Sequence, residues 1–226
     1  MSTNTIAIVL AGGEGSRFGM TKQFVSVHNT PVFIYTLRSF SKFMKIVTVP
    51  IQFKDIAING IKSNKIENVS IITGGKSRQE SVYNALDFIN TTYPKCKNVI
   101  ITDANRPCLT QETINQCTKL LKNNKAVVTV CGSINTSCIS NDGKYLSKIL
   151  DRSYQYDLLM PQCFSFAEIY VAHKKAKNIN ATDDFQILKK SYPKINAKLL
   201  LISFWEGLKL TKPEDYKIFE LLLEKK

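Results

Sequence analysis

Behind the first apolar run stands Leu10-Ala11-Gly12-Gly13-Glu14-Gly15-Ser16-Arg17, followed shortly by Lys22-Gln23-Phe24. Glycines this closely spaced let backbone N–H groups approach an anion that a Cβ would hold off. Arg17 and Lys22 add positive charge at the same place, so the stretch suits a phosphate chain. It is not a Walker A loop, because Thr21-Lys22-Gln23 lacks the Gly-Lys-Ser/Thr ending. Nor is it a dinucleotide fingerprint, since Phe18 stands where the third glycine belongs. The plain alternative is a tight strand-to-loop turn with ordinary surface charges. The arginines carry a second signal. Of 31 basic residues only five are Arg, and Arg17, Arg78, Arg106 and Arg152 all lie in motif-like segments. In a chain that otherwise uses Lys, an Arg marks a place that needs a planar, bidentate donor, which again points to phosphate handling.

The elements that must position these residues follow from periodicity. Apolar, β-branched runs at 5–10, 45–49, 69–73, 98–102, 126–130 and 198–202 read as strands, and their near-continuous apolar character suits a parallel sheet covered on both faces. Ser77-Arg78-Gln79-Glu80 forms a capping box ahead of Val82, Ala85, Leu86 and Ile89. Thr110 can cap a helix carrying Ile114, Cys117 and Leu121, and Pro213-Glu214 opens a last helix through Leu223. Such alternation predicts an α/β fold, a Rossmann-like, doubly wound and mostly parallel sheet, in one domain over 1–226. The exception is 132–162, where Asn, Asp, Gly and Ser cluster; it reads as an inserted arm.

Composition narrows the class. With 226 residues, 44% of them hydrophobic and 22% charged, the chain is long and apolar enough for a substantial core. No run approaches the roughly 20 apolar residues of a membrane helix, and the N-terminus lacks the basic start of a signal peptide. The six cysteines form no C-x-x-C pair, so a reduced, cytoplasmic protein is expected. A net charge of +13 calls for an anionic partner. The Lys residues are scattered without interleaved aromatics, so nucleic acid is not the expected one.

The Gly-rich loop resembles that of the sugar-nucleotidyltransferase superfamily, and its trailing Lys-Gln-Phe resembles the branch of 2-C-methyl-D-erythritol 4-phosphate and ribitol-5-phosphate cytidylyltransferases. The resemblance runs on in order through Gly74-Gly75-x-x-Arg78-x-x-Ser81-Val82, Asp103-Ala104-Asn105-Arg106-Pro107, Asp151-Arg152, Pro161-Gln162-x-Phe164, Ala181-Thr182-Asp183-Asp184 and Lys209-Leu210-Thr211-Lys212-Pro213-Glu214-Asp215. It implies a homodimeric enzyme that uses CTP and Mg²⁺ to load CMP onto a polyol phosphate with release of pyrophosphate. By the same resemblance Arg17, Lys22 and Lys209 are the catalytic cations. Ala11, Gly12, Gly13, Gly15, Gly74, Gly75, Arg78, Ser81, Asp103 and Ala104 bind the nucleotide, and Asp103 also supports the metal. Ser133, Arg152, Thr182 and Asp183 bind the acceptor, with Arg152 reaching the neighbouring subunit. Arg106 serves either as a structural ion pair or as a ligand contact, and an intrachain pair with Asp157 is the plain alternative for Arg152. His28 and His173 fall outside every motif and read as surface or structural residues.

The departures from the family pattern lie on the acceptor side. Thr21 replaces a Pro, Gly132-Ser133 stands where an Asp-Thr pair is usual, and Met160 replaces the Thr of a Thr-Pro-Gln turn. These changes favour a ribitol-like phosphate for surface polysaccharide over methylerythritol phosphate. A non-catalytic nucleotide-binding protein is the rival from another class, against which the retention of Arg17, Lys22, Asp103 and Lys209 argues.

Overall fold

The computed structural model describes residues 4–12, 21–176 and 181–224. In chain order the elements are β1 (Thr5–Leu10), β2 (Ser26–Val27), β3 (Thr30–Pro31), α1 (Val32–Ser39), β4 (Met44–Val49), α2 (Lys54–Ser63), β5 (Val69–Thr73), α3 (Arg78–Thr92) and β6 (Asn98–Asp103). There follow α4 (Gln111–Leu120), β7 (Ala126–Gly132), β8 (Cys138–Ile139), β9 (Lys148–Ile149), β10 (Tyr156–Ser165), α5 (Phe166–Lys175), α6 (Asp184–Ser191), β11 (Lys198–Leu201) and α7 (Asp215–Leu223).

Seven strands form the central sheet in the order β11-β7-β10-β6-β1-β4-β5, all parallel except β10, which runs antiparallel to both its neighbours. Alternation along β1 sends Ala7 and Val9 to one face, against Phe33, Leu37 and Ile114. Ile6, Ile8 and Leu10 go to the other, against Val82, Leu86 and Ile169. Both faces are thus dry, which explains the near-continuous apolar strands.

Register brings the strand ends to one edge. Leu10 lies opposite both Thr48 and Asp103, and Val49 opposite Thr73. The pairing continues one step past the strands, with Ala11 N–H donating to Thr48 O and Gly74 N–H to Val49 O, 2.9 and 3.0 Å. From β1 the chain builds outward through β4 and β5, then returns to β6 on the other side. The crevice outside the carboxyl ends at this switch point is where such sheets bind ligands.

The expected arm over 132–162 is only partly an arm. Residues 156–165 form β10, inserted between β6 and β7. Pro161 argues against a strand by sequence, because it cannot donate to a ladder. Here it sits in the irregularity between Leu158 and Gln162, where pairing with β7 lapses, and its carbonyl accepts from Thr129 Oγ1 at 3.1 Å. What remains outside the sheet is a short ribbon of β8 and β9. It exposes Ile134, Tyr145, Leu146, Ile149 and Tyr154. The expected last strand, β11, is present but lies at an open edge, with Leu201 64% exposed. The capping box at Ser77 forms, as does the Thr110 cap, each accepting from the backbone N–H three residues on. All six cysteines are free thiols, and all but Cys138 are buried.

One charge sits inside this frame without an acidic partner in contact. Lys45 is buried at the start of β4 and donates from Nζ to Phe40 O and Phe43 O at 3.1 and 2.9 Å. Burial pulls its ammonium from 10.5 down to about 8, offset in part by Glu67. Between about 8 and 10.5 the unfolded chain therefore holds a proton that the folded chain has shed, so unfolding free energy should rise with pH across that window. Lys45→Met should flatten the rise. Denaturant midpoints measured from neutral pH upward test this, and equal slopes for the two proteins would refute it.

Candidate active site

A cleft of about 820 Å³ opens at the carboxyl edge and is lined by Gly12, Lys22, Gly74, Gly75, Arg78, Ser81, Asp103 and Lys209, among others. Each part is placed by a local device. Gly12 stands two residues past the end of β1. Lys22 is brought beside it because Gln23, almost wholly buried, donates from Nε2 to Ala11 O at 2.8 Å. Gly13, Gly15 and Arg17 lie outside the described residues.

The 74–81 segment is a turn held by its own side chains. Ser81 Oγ accepts from Gly75 N–H at 3.0 Å and donates to Ser77 O at 2.9 Å. Ser77 Oγ accepts from Glu80 N–H, and Glu80 accepts from Lys76 N–H. A Cβ at Gly75 would collide with the Glu80 side chain, and one at Gly74 would press on Ser81 Oγ at 3.1 Å. Glycine is required here by close approach, and the backbone is left facing the cleft.

The electrostatic centre is Asp103, at the end of β6. Its Oδ2 lies 3.0 Å from Lys209 Nζ and 3.2 Å from Arg106 Nε, and its Oδ1 lies 3.7 Å from Arg78 Nε. Burial disfavours its charge, but Lys209, Arg106 and Arg78 together hold its carboxyl well below the usual range. Arg78 in turn reaches the buried Asp184, with Nη2 2.7 Å from Oδ2. Burial works against the Arg78 charge as well, and Asp184 and Asp103 outweigh it, raising its pKa further. Lys209 and Arg78 keep 38% and 31% of their side-chain surface exposed, so both can meet a ligand.

Arg106 is engaged by the protein itself. Its second donor goes to Gly207 O, and only 11% of its side chain is exposed. Beside it, Asn105 accepts from Leu210 N–H and donates from Nδ2 to Leu210 O at 3.0 and 2.6 Å. These contacts fasten the strand of chain that carries Lys209, and Leu210 is itself buried against Phe219 of α7.

Other expected site residues fall elsewhere. Ala11 and Ala104 are buried beneath the cleft, not on its surface, and their backbone N–H and C=O groups are taken by Thr48, Gln23, Leu10 and Thr36. Asp183 caps α6, accepting from Gln186 N–H at 3.0 Å, while Thr182 Oγ1 accepts from Gln186 Nε2. Ser133 and Arg152 lie on the arm, where Arg152 donates to Ile134 O at 3.1 Å and makes no pair with Asp157. Among the described residues none of these four lines the cleft within one chain. Sequence reasoning passed over Asp184, although it quoted the segment. It read His173 as a surface or structural residue, and the structure buries it in contact with Asp184. The available signal was a polar residue at helical spacing on the apolar stripe Ile169, Ala172, Ala176.

A doubly wound sheet whose carboxyl edge gathers glycine turns, a buried carboxylate and converging cations suits the phosphate chain of a nucleotide. The family model described as 2-C-methyl-D-erythritol 4-phosphate cytidylyltransferase (IspD) matches residues 5–225. A protein of that name from Clostridium botulinum (type F, strain Langeland) is 34% identical over 100% of this chain and 99% of its own length. A ribitol-5-phosphate cytidylyltransferase from Vibrio parahaemolyticus is 27% identical over 97% of this chain and 95% of its own. A crystal structure of 4-diphosphocytidyl-2C-methyl-D-erythritol synthase from Anaerococcus prevotii superposes with a TM-score of 0.85 at 25% identity, covering 97% of this chain and 98% of that one. The chain belongs to the 2-C-methyl-D-erythritol 4-phosphate cytidylyltransferase family. It is a CTP-dependent nucleotidyltransferase that transfers CMP to a polyol phosphate and releases pyrophosphate.

The Asp103 cluster generates a stability prediction. Asp103→Asn leaves Arg78, Arg106 and Lys209 crowded around a neutral group and should cost about 3–5 kcal/mol at neutral pH. Because the folded-state pKa is depressed, the stabilisation exists above the ordinary 3.8 and fades as pH falls toward the folded value. The gap between wild type and Asp103→Asn in urea midpoint should therefore narrow in acid. A constant gap would contradict it.

Proposed function

We propose that the acceptor is 2-C-methyl-D-erythritol 4-phosphate. The observation that carries this reading is the match of that family's model over 5–225, together with 34% identity to a namesake over the whole chain against 27% to the ribitol relative. It reverses the preference drawn from Gly132 and Met160, whose physical basis is weak. Met160 is 6% exposed within β10, and a Cβ at Gly132 would meet nothing within 4 Å.

In the proposed mechanism an oxygen of the acceptor phosphate attacks the α-phosphorus of CTP. The bond to the bridging oxygen of the β-phosphate breaks, and pyrophosphate departs with that electron pair. Little covalent work falls to the protein, which contributes position and charge. Gly12, Gly74, Gly75 and Ser81 frame base and ribose. Lys22 and Arg17 hold the triphosphate, and Lys209, fixed by Asp103 and the Asn105–Leu210 pair, meets the charge that grows on the α-phosphate. Arg78 flanks the nucleotide from the opposite side of Asp103.

Asp103 fits a magnesium site of the open kind. No group of three acidic, His or Cys side chains exists among the described residues, so the remaining ligands would be phosphate oxygens and water, as is usual for this ion. Among the described residues Oδ1 carries only the long 3.7 Å ion-pair contact to Arg78, which leaves lone pairs for it. When bound, the ion would neutralise phosphate charge and shield the approach of the acceptor.

We further propose a homodimer in which the arm serves the neighbouring cleft, so that Ser133 and Arg152 meet the acceptor there. The apolar side chains exposed on the ribbon and the open β11 edge support it. A cytoplasmic location agrees with six unpaired thiols and with the family. No helix among the described residues is long and apolar enough to cross a membrane.

Pyrophosphate release with CTP should show a higher kcat/KM for methylerythritol phosphate than for ribitol 5-phosphate, and UTP, ATP and GTP should be poor donors. The opposite acceptor ranking would restore the ribitol assignment.

Lys22→Ala and Lys209→Ala should each lower kcat at least about a hundredfold with the fold intact. Refolding Lys22→Ala together with Arg152→Ala tests the arm. If Arg152 acts across the two-fold, random pairing restores about a quarter of sites. No recovery in verified heterodimers would confine Arg152 to its own subunit.

A further inference from the structure

We infer that His173 is a positioning residue for the reaction, acting through Asp184 to hold Arg78 against the cleft. His173 sits on the buried face of α5 and its side chain is 0% exposed, as is that of Asp184 at the start of α6. A histidine on an apolar stripe is commonly just packed there, so its neighbours decide the matter.

Nε2 of His173 lies 3.2 Å from Asp184 Oδ1, and Asp184 Oδ2 lies 2.7 Å from Arg78 Nη2. Arg78 Nε then faces Asp103 Oδ1, and Asp103 Oδ2 faces Lys209. Four contacts thus lead from behind the sheet to the two cations the ligand meets. A carboxylate with no water around it requires partners for both oxygens. Asp184 Oδ2 accepts from Arg78, while Oδ1 and His173 Nε2 face each other at 3.2 Å, a close contact outside hydrogen-bonding geometry, and neither of these two buried atoms has a hydrogen-bond partner among the described residues.

A carboxylate anchored at a single oxygen can turn about its bond to Cβ. With the His173 ring set against Oδ1 as well, it presents Oδ2 to Arg78 in one orientation. The rest of the α6 N-terminus is already fixed, since Phe185 N–H donates to Gln162 Oε1 at 3.0 Å and Asp183 caps the helix. The rotation of the Asp184 carboxylate is the remaining freedom, and His173 removes it. Arg78 is long, partly exposed, and shared between Asp184 and Asp103. Released from Asp184, it would move toward Asp103 and lose its place beside the nucleotide.

This inference rests on the proposal that Arg78 flanks CTP. The test is a set of variants assayed for CTP and acceptor kinetics at saturating co-substrate. His173→Leu fills the space without a donor and should raise KM for CTP about tenfold, leaving the acceptor KM unchanged and kcat within about twofold. His173→Gln carries an amide N–H near the position of Nε2 and should stay within about twofold of wild type. In an Arg78→Ala background His173→Leu should add nothing further, since the residue it acts through is gone. Should His173→Leu fail to fold, His173→Asn, whose shorter amide falls short of Asp184, replaces it with the same expectation. A packing role would lower the folded fraction, and so apparent kcat, with no change in KM. Equal effects of Leu and Gln, or effects of His173→Leu and Arg78→Ala that multiply, would overturn the inference while leaving the nucleotide role of Arg78 standing. An Arg78→Ala enzyme with unchanged CTP kinetics would overturn both.

Discussion

A buried carboxylate keeps its charge only where cations compensate for lost water, and Asp103 does so with three of them. That requirement organises the carboxyl edge of the sheet. Lys209 comes from the chain preceding α7, Arg106 from the loop after β6, and Arg78 from the first turn of α3, segments far apart in sequence. None gains by leaving, because each would give up its attraction to the carboxylate and leave that buried charge less compensated. The same attraction keeps like charges close together before any phosphate arrives. A triphosphate entering this cleft meets cations already assembled, so little reorganisation is left for the moment of reaction.

The supports behind these charges are of two kinds. One is packing, as where Leu210 buries itself beside Phe219 and thereby sets the height of Lys209. The other is reciprocal hydrogen bonding between backbone and short side chains, as in the Asn105–Leu210 pair and the Ser77–Ser81 turn. Both rely on rigid strand ends, which the matched register of β1, β4, β5 and β6 provides.

Much of this was readable in the residue types. Paired glycines, a capping box and isolated arginines in a lysine-rich chain mark a phosphate site because each answers a steric or geometric need that few other residues meet. Six parallel strands were legible from apolar runs, whereas β10 was hidden. Its Pro161 and its polar Asp157 and Gln162 break the pattern, and only the lapse in pairing with β7 makes the proline tolerable. Asp184 and His173 were obscure for a different reason. Their partnership depends on two helices meeting behind the sheet, and no local periodicity encodes which buried polar groups will face each other. Met160 was obscure for a similar reason, since departure from a motif does not reveal whether a side chain points at a ligand or, as here, is buried within a strand.

The strand order also has a consequence for how the chain is made. Strand β7 pairs only with β10 and β11, both synthesised after it. While the ribosome is still adding the ribbon and α5, β7 has two bare edges, and the sheet to its side ends at β6. Such unpaired, apolar edges invite pairing with other chains. A nascent chain interrupted before residue 156 would therefore hold a half-built sheet of β1, β4, β5 and β6 with a sticky strand beside it. Completion depends on a late segment threading into the middle, so the protein stands to gain more from shielding during synthesis than one whose strands are added from the edge outward.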